Sequence, residues 1–251
     1  HFYNDNLISF PDTLAEKALY GCHFYHVESG VYDVGKTRTN RIEAIQIVAR
    51  VVELVSTYPG LSLGIIAMSQ SQQDLIITLL QEEVFNNKNE KLLNLMNRAE
   101  EGLFVKNLEN VQGDERDVIL LSIGYGKDSK GKFRQSFGPL NRKGGERRLN
   151  VAISRSRKRM EIYCSFLPED FKIRTLNSLG GQLLYKYLDF IRLESKYGMT
   201  GTTVSEDHLS SVVALKNYLD ARGINTSLRV GSSKNYIDLA IHHPKHPEKF
   251  I

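Results

Sequence analysis

The sequence predicts an α/β protein: one domain built on a parallel sheet, followed by a small, incomplete α+β piece. Three observations predict it. Apolar strand-like runs alternate with helix-periodic stretches from 22 to 166. Residues 118–123 are apolar almost without interruption, as in a strand buried on both faces. Pro168 then breaks the alternation, and the chain continues as two helical patterns and two strands. The predicted boundaries are a lead-in at 1–20, the sheet domain at 21–166, a linker helix at 167–200 and the incomplete piece at 201–251.

The elements follow in order. The lead-in carries a turn at Pro11-Asp12, and residues 22–27 read as a strand. Asn40 and Glu43 have the spacing of a capping box, and Ala44, Ile47, Val48, Val51 and Val55 continue at helical spacing to Pro59-Gly60. Residues 63–68 read as a short buried strand and 72–80 as a helix. The Asn- and Lys-rich stretch 86–98 reads as a polar surface segment. Residues 103–105 and 118–123 read as strands, 147–157 as a helix and 160–164 as the strand after it. In the last piece Ser205 is the predicted cap of a helix that Gly223 ends, before strands near 225–230 and 236–242.

The chain has 251 residues, 33 Lys and Arg against 29 Asp and Glu, and a formal net charge of +4. That balance excludes a disordered chain and weakly favours an acidic partner. No stretch approaches the roughly 20 apolar residues of a membrane span. Two cysteines, Cys22 and Cys164, exclude a disulfide scaffold and suit a reducing cytoplasm. The chain opens on His1 rather than Met, which reads as a fragment or a processed protein.

Gly30 to Thr37 fits the phosphate-loop pattern G-x-x-x-x-G-K-[ST] to the letter. A working loop places its Lys and Thr in the first turn of a helix, where free amides and the helix dipole face the phosphates. The cap at Asn40 puts Lys36 ahead of the helix, and Glu28 would repel phosphate. The match therefore reads as accidental, with a self-contained nucleotide hydrolase on Lys36 as the lesser alternative.

Two stretches carry more weight. Asn110 to Asp117 is a polar turn with three carboxylates at the entry of the most apolar strand. Gln112 bonds in two directions there, and Gly113 permits a tight turn. Residues 141–159 hold eight Lys or Arg and one Glu, a local charge of +7. On a continuous helix Arg148 and Arg155 would share one edge, and Asn150 and Arg157 the other. Guanidinium groups beside an anchored apolar face suit a polyphosphate, since Arg is bidentate and always charged. A basic nucleic-acid-binding module without catalysis is the competing reading.

At these residues the chain resembles the superfamily 1 helicases, in the branch of the RNA-surveillance helicase. Val111 to Ile119 resembles motif V, and Arg147 to Arg157 resembles motif VI. Thr39 to Ala44 is similar to the Asn-x-x-Glu-Ala segment of that branch. Residues 64–66 with Gln72 resemble the motif IV region, although Ala67-Met68 departs from its Thr-Pro. His1 to Leu7 resembles the stretch after motif III, so the resemblance covers about 1–166. It implies the second RecA-like domain of an ATP-dependent motor. A first such domain, outside this chain, would supply the phosphate loop and the metal carboxylates for ATP with Mg2+. Arg155 would be the arginine finger and Arg157 the second arginine of motif VI. Glu115 would lie near the ribose and Gln72 near the nucleotide. Gln112 and Gly113 would couple ATP state to a single strand of nucleic acid, DNA in preference to RNA, with 5′-to-3′ movement. This piece alone is expected to be inactive.

The last piece resembles the start of a Vsr-like nuclease domain, of the restriction-endonuclease-like PD-(D/E)XK class. The resemblance implies Glu206 and Asp238 as carboxylates for Mg2+ or Mn2+, with the completing strand beyond Ile251. His242, His243 and His246 read as an exposed loop rather than a soft-metal site.

Overall fold

The computed structural model describes residues 20–197, 206–232, 235–244 and 246–250. The chain divides into two units: one spans Leu19–Arg192, and the other contains Leu193–Ile251.

In the first unit β1 (Gly21–His26) leads by a long loop to α1 (Arg41–Thr57). Then come β2 (Leu63–Ala67), α2 (Gln70–Asn87), α3 (Glu90–Met96), β3 (Phe104–Asn107) and β4 (Arg116–Ser122). The series closes with α4 (Gly145–Ile153), β5 (Ser156–Cys164) and α5 (Leu179–Tyr197). The five strands form one sheet in the order β1-β5-β4-β2-β3, and every pairing is parallel. This mixed α/β architecture fits a RecA-like domain.

Both faces of the sheet are covered, which accounts for the unbroken apolar character of its central strands. Leu63, Ile65 and Ala67 of β2, with Val118 and Leu120 of β4, pack on the apolar side of α1, α2 and α3. The alternate residues Ile66, Ile119 and Leu121 pack on the other side with Leu149 of α4 and Leu184, Leu188 and Ile191 of α5. Gly64 lets β2 and β3 come together, because a Cβ there would lie 2.5 Å from the Phe104 ring. On β5, Glu161 is fully buried but receives Arg50 from α1 and Arg159 from its own strand.

Four expectations need correction. The cap at Asn40 is only half a capping box: its side chain accepts from the Glu43 amide at 3.2 Å, but the Glu43 carboxylate turns inward. The polar stretch 86–98 holds the end of α2 and all of α3, whose Leu92 and Leu95 are buried. Residues 167–192 are not a linker, since Leu176, Leu184, Leu188 and Ile191 complete the core. The predicted helix 147–157 ends at Ile153, and Ser156 already pairs with β4. Parallel ladder bonds to an existing strand outweigh the local preference to add one more helical turn.

In the second unit α6 (Glu206–Asp220) precedes an antiparallel sheet in the order β6 (Thr226–Ser232), β7 (Asn235–His243) and β8 (His246–Phe250). The sequence reading had two strands here, and β8 is a third. Ser205 and most of the lead-in lie outside the described residues. No helix among the described residues is long and apolar enough to cross a membrane.

Candidate functional site

The basic and acidic motifs meet where β4 and β5 begin. The Arg116 amide donates to the Arg155 carbonyl at 3.1 Å, so the turn before β4 lies against the connection from α4 to β5. Gly113 has φ of +89°, a conformation that other residues adopt with strain, and this directs the turn into the strand. Gln112, Gly113 and Glu115 are exposed. Lys106 holds Asp114 at 2.5 Å, and Arg116 donates to the carbonyls of Gly102 and Glu115.

A single extra residue organises this end of the sheet. Arg116 pairs with Ser156 but Val118 pairs with Arg159, so Arg157 and Lys158 together oppose Asp117. Adjacent strand residues normally point to opposite faces. The extra residue lets both cations approach Asp117, Arg157 Nε at 3.6 Å and Lys158 Nζ at 3.4 Å. Burial pushes the Asp117 carboxyl up, yet bonds from Ser62 and the charges of Lys158 and Arg157 outweigh this and hold it below its ordinary range.

The two arginines of motif VI type therefore differ. Arg157 also pairs with Glu101 at 2.6 Å and donates to Ser62 Oγ at 2.8 Å. Arg155 donates from Nε to the Val151 carbonyl at 2.8 Å and from Nη2 to Ser154 Oγ at 3.0 Å. Those bonds close the end of α4 but involve no carboxylate. The positive charge of Arg155 is thus not neutralised within the described residues.

Gln72 lies at the other end of the sheet. Its amide nitrogen donates to Ser122 Oγ and the Asn40 carbonyl, both at 3.1 Å, and its oxygen accepts from the Asn40 amide at 2.8 Å. β4 separates Ser122 from Glu115 by about 23 Å, at about 3.3 Å per residue. Gln72 and the pair Glu115 and Arg155, expected around one nucleotide, thus stand at opposite ends of β4. Its fully buried side chain joins a network that the sequence reading missed. Glu43 Oε1 accepts from Ser122 Oγ at 2.6 Å and from the Gly124 amide at 2.7 Å, and Asn40 Nδ2 donates to Ser165 Oγ at 2.8 Å. Burial pushes the Glu43 carboxyl up to about 8, despite those two hydrogen bonds.

Lys36 is exposed and lies ahead of α1, while the Thr37 amide and hydroxyl bond Asp33 Oδ2. The loop thus lacks the helical Lys and Thr that a nucleotide-binding loop requires. In the second unit Glu206 opens α6 and Asp238 lies on β7, the central strand, but their side chains fall outside the described residues. No cluster of three potential metal ligands occurs among the described residues.

Residues 3–166 match the family described as an AAA domain. An uncharacterized ATP-dependent helicase of Mycoplasma genitalium, MG140, is 36% identical over 201 residues, covering 77% of this chain and 17% of that protein. Its Mycoplasma pneumoniae homolog is 38% identical over 193 residues, covering 74% of this chain and 16% of that protein. The chain thus spans under a fifth of the length of these two relatives. The C-terminal domain of a possible DNA helicase from a Lactobacillus aligns over 58% of this chain and 73% of that one, at 13% identity and a TM-score of 0.28. A superposition that loose supports no inference.

Proposed function

The chain belongs to the AAA domain family, and from that premise we propose that it is the second motor domain of an ATP-dependent helicase of superfamily 1. The ATP-dependent helicases it is similar to support that reading. One observation carries it: Arg155 keeps a guanidinium with no carboxylate partner among the described residues, beside the turn that holds Glu115. An anionic nucleotide fits that end, with Glu115 toward a ribose and Arg155 toward the phosphates. A first RecA-like domain would hold the triphosphate and its Mg2+. Water attacks the γ-phosphorus, the bond to the bridging oxygen of ADP breaks, and negative charge spreads over the transferring group. Arg155 stabilises that charge with two parallel donors. A second arginine on the phosphates would first have to leave Glu101 and Asp117, so Arg157 positions the strand instead. Gln112 and Gly113 lead into β4 and transmit the nucleotide state to a single strand, DNA in preference to RNA, moved 5′ to 3′ in the cytoplasm.

The test is ATP turnover by the intact protein. Arg155→Ala should lower kcat by roughly 10³-fold with a much smaller change in ATP binding, and Arg155→Lys should restore little. Normal turnover in Arg155→Ala with intact salt-dependent strand binding would favour the non-catalytic nucleic-acid module.

For the second unit the proposal is a nuclease-like domain of the restriction-endonuclease class, using Glu206 and Asp238 with Mg2+ or Mn2+. Its support is the succession of one helix and antiparallel strands, with Asp238 on the central one. Metal-dependent cleavage by the intact protein should disappear in Asp238→Ala. Cleavage that survives the substitution places the chemistry elsewhere.

A further inference from the structure

The end of α2 and the length of α3 form an open groove of about 520 Å³, in the size range of about 300–1,000 Å³ typical of ligand pockets. Val84 and Met96 are half-buried in it and pack on the core beneath. Phe85 and Leu93 line it too, 84% and 41% exposed. A ring so exposed contributes almost nothing to the core, and it stands beside a second large apolar side chain in water. The two helices keep their places without a partner. The Asn89 side chain caps α3 by accepting from the Leu92 amide at 3.1 Å, and Leu92 and Leu95 are buried. The groove is preformed, and only its lining meets solvent.

Glu82 is the charged residue of that lining, and it forms no ion pair among the described residues. Its neighbour Glu83 is engaged, accepting from Asn87 Nδ2 at 2.6 Å in the last turn of α2. Lys88, Glu90 and Lys91 are exposed on the same helix pair, and none of them lines the groove. An apolar surface edged by an acid repels phosphates, so nucleic acid is a poor occupant. A second copy of the chain fits badly as well. An isologous contact sets one patch against itself, so that Glu82 would meet Glu82. The basic stretch 141–159 of a copy could answer the charge but not the apolar lining, because Leu149 and Ala152 lie in its own core.

We propose that this groove docks an amphipathic helix of a separate protein, with large apolar residues on one face and a lysine or arginine at their edge for Glu82. A groove between two helices suits a helical partner, which it reads through apolar anchors at i, i+3, i+4 and i+7. The anchors take Phe85 and Leu93 out of water, and aromatic side chains are favoured at the centre of such contacts. Glu82 adds selection, since an acidic helix of the same shape would be repelled. None of Gln72, Gln112, Glu115 and Arg155 lines the groove, so the docking stands apart from the nucleotide reading.

The experiment measures binding of a fluorescent peptide of about 18 residues, roughly five helical turns, to the intact protein. The peptide is built from leucine and lysine with the leucines on one face, and a scrambled peptide of the same composition is the control. The ordered peptide should bind more tightly than the scrambled one, and Phe85→Gln/Leu93→Gln should lower its affinity about ten-fold or more. Glu82→Lys should weaken it as well, and a peptide with glutamate in place of lysine should bind Glu82→Lys better than wild type. This exchange of charge at an exposed position checks the site without any change to the apolar lining. Failure of the ordered peptide to bind, or equal binding to wild type and Phe85→Gln/Leu93→Gln, would overturn the site. Equal binding of the scrambled peptide, or equal affinity of the lysine and glutamate peptides for Glu82→Lys, would also overturn it. Sedimentation of the intact protein alone covers the remaining occupant: a dimer that Phe85→Gln/Leu93→Gln dissociates gives the groove to a second copy and overturns the proposal.

Discussion

Ser62 and Asp117 hold each other reciprocally across 55 residues of sequence. The Ser62 amide and hydroxyl donate to Asp117 Oδ2 at 3.1 and 3.0 Å, and the Asp117 amide donates back to Ser62 Oγ at 2.9 Å. The residue before β2 is thereby locked to β4, and the cations of β5 close over the same carboxylate.

Asp117 should therefore act on turnover through Arg155, which lies two residues before Arg157. Asp117→Ala leaves Ser62 without its acceptor, and Glu101 as the one carboxylate on Arg157 among the described residues. A local loss of about 1–3 kcal/mol follows for the unpaired donors. In the intact protein, kcat for ATP should fall about ten-fold or more while KM changes little. Asp117→Asn should recover part of the loss, because an amide oxygen still accepts from Ser62. A raised KM with unchanged kcat in both variants would place Asp117 in ground-state binding instead.

Glu43 gives a pH dependence whose sign is fixed. Its folded pKa of about 8 lies above the ordinary value of 4.5. Between those values the folded protein keeps a proton that the unfolded chain has lost, so local stability falls as pH rises through the window. Below about 4.5 the stabilisation is fully present, and above about 8 no further loss follows. Glu43→Gln keeps the shape and removes the titration. Protection of α1 and β4 amides from hydrogen exchange in the intact protein should weaken from pH 5 to 8 in wild type, after correction for intrinsic rates, and stay level in Glu43→Gln. A parallel decline in both would clear Glu43 of the effect.

Gly113 should not tolerate a side chain, although a Cβ there would meet nothing within 4 Å. The cost is conformational, about 1–2 kcal/mol for an alanine held at a left-handed φ. Gly113→Ala should reduce strand-stimulated ATP turnover more than turnover without a strand. Equal reduction of both would show that the turn serves only the fold.

Gly64 fails for the opposite reason, since its backbone is ordinary and its space is filled. A methyl group would press on Phe104 and Ile119 at 2.5 and 2.8 Å. Gly64→Ala should destabilise by about 1–3 kcal/mol, the usual cost of overpacking. Thermal unfolding of the intact protein measures it, and an unchanged first transition would contradict the packing described here.

Much of the fold could be read in the sequence because the central strands are buried on both faces. Residues 63–68 and 118–123 have no polar alternation to confuse with a surface strand. The end of α4 was not legible: Leu149, Ala152, Ile153 and Ser156 keep helical spacing, and only the ladder bonds of β5 stop the helix before Arg155. The hydrogen bonds of Gln72 were not legible either, because its partners, Asn40 and Ser122, lie 32 and 50 residues away. The approach of Arg157 and Lys158 to Asp117 depends on one extra residue in a strand, which no periodicity reveals. Asp117 itself was visible as one of three carboxylates, but nothing local separates it from Asp114 and Glu115.

β4 pairs with β2 on one side and β5 on the other, and its residues from Val118 to Ser122 are buried. Such a strand cannot slide by one residue without turning every core side chain to the wrong face. It is a strut rather than a cable. A displacement of the turn at Gln112–Glu115 would reach Ser122 and the Glu43 network as a tilt or shift of the whole rod, with β2 and β5 carried along.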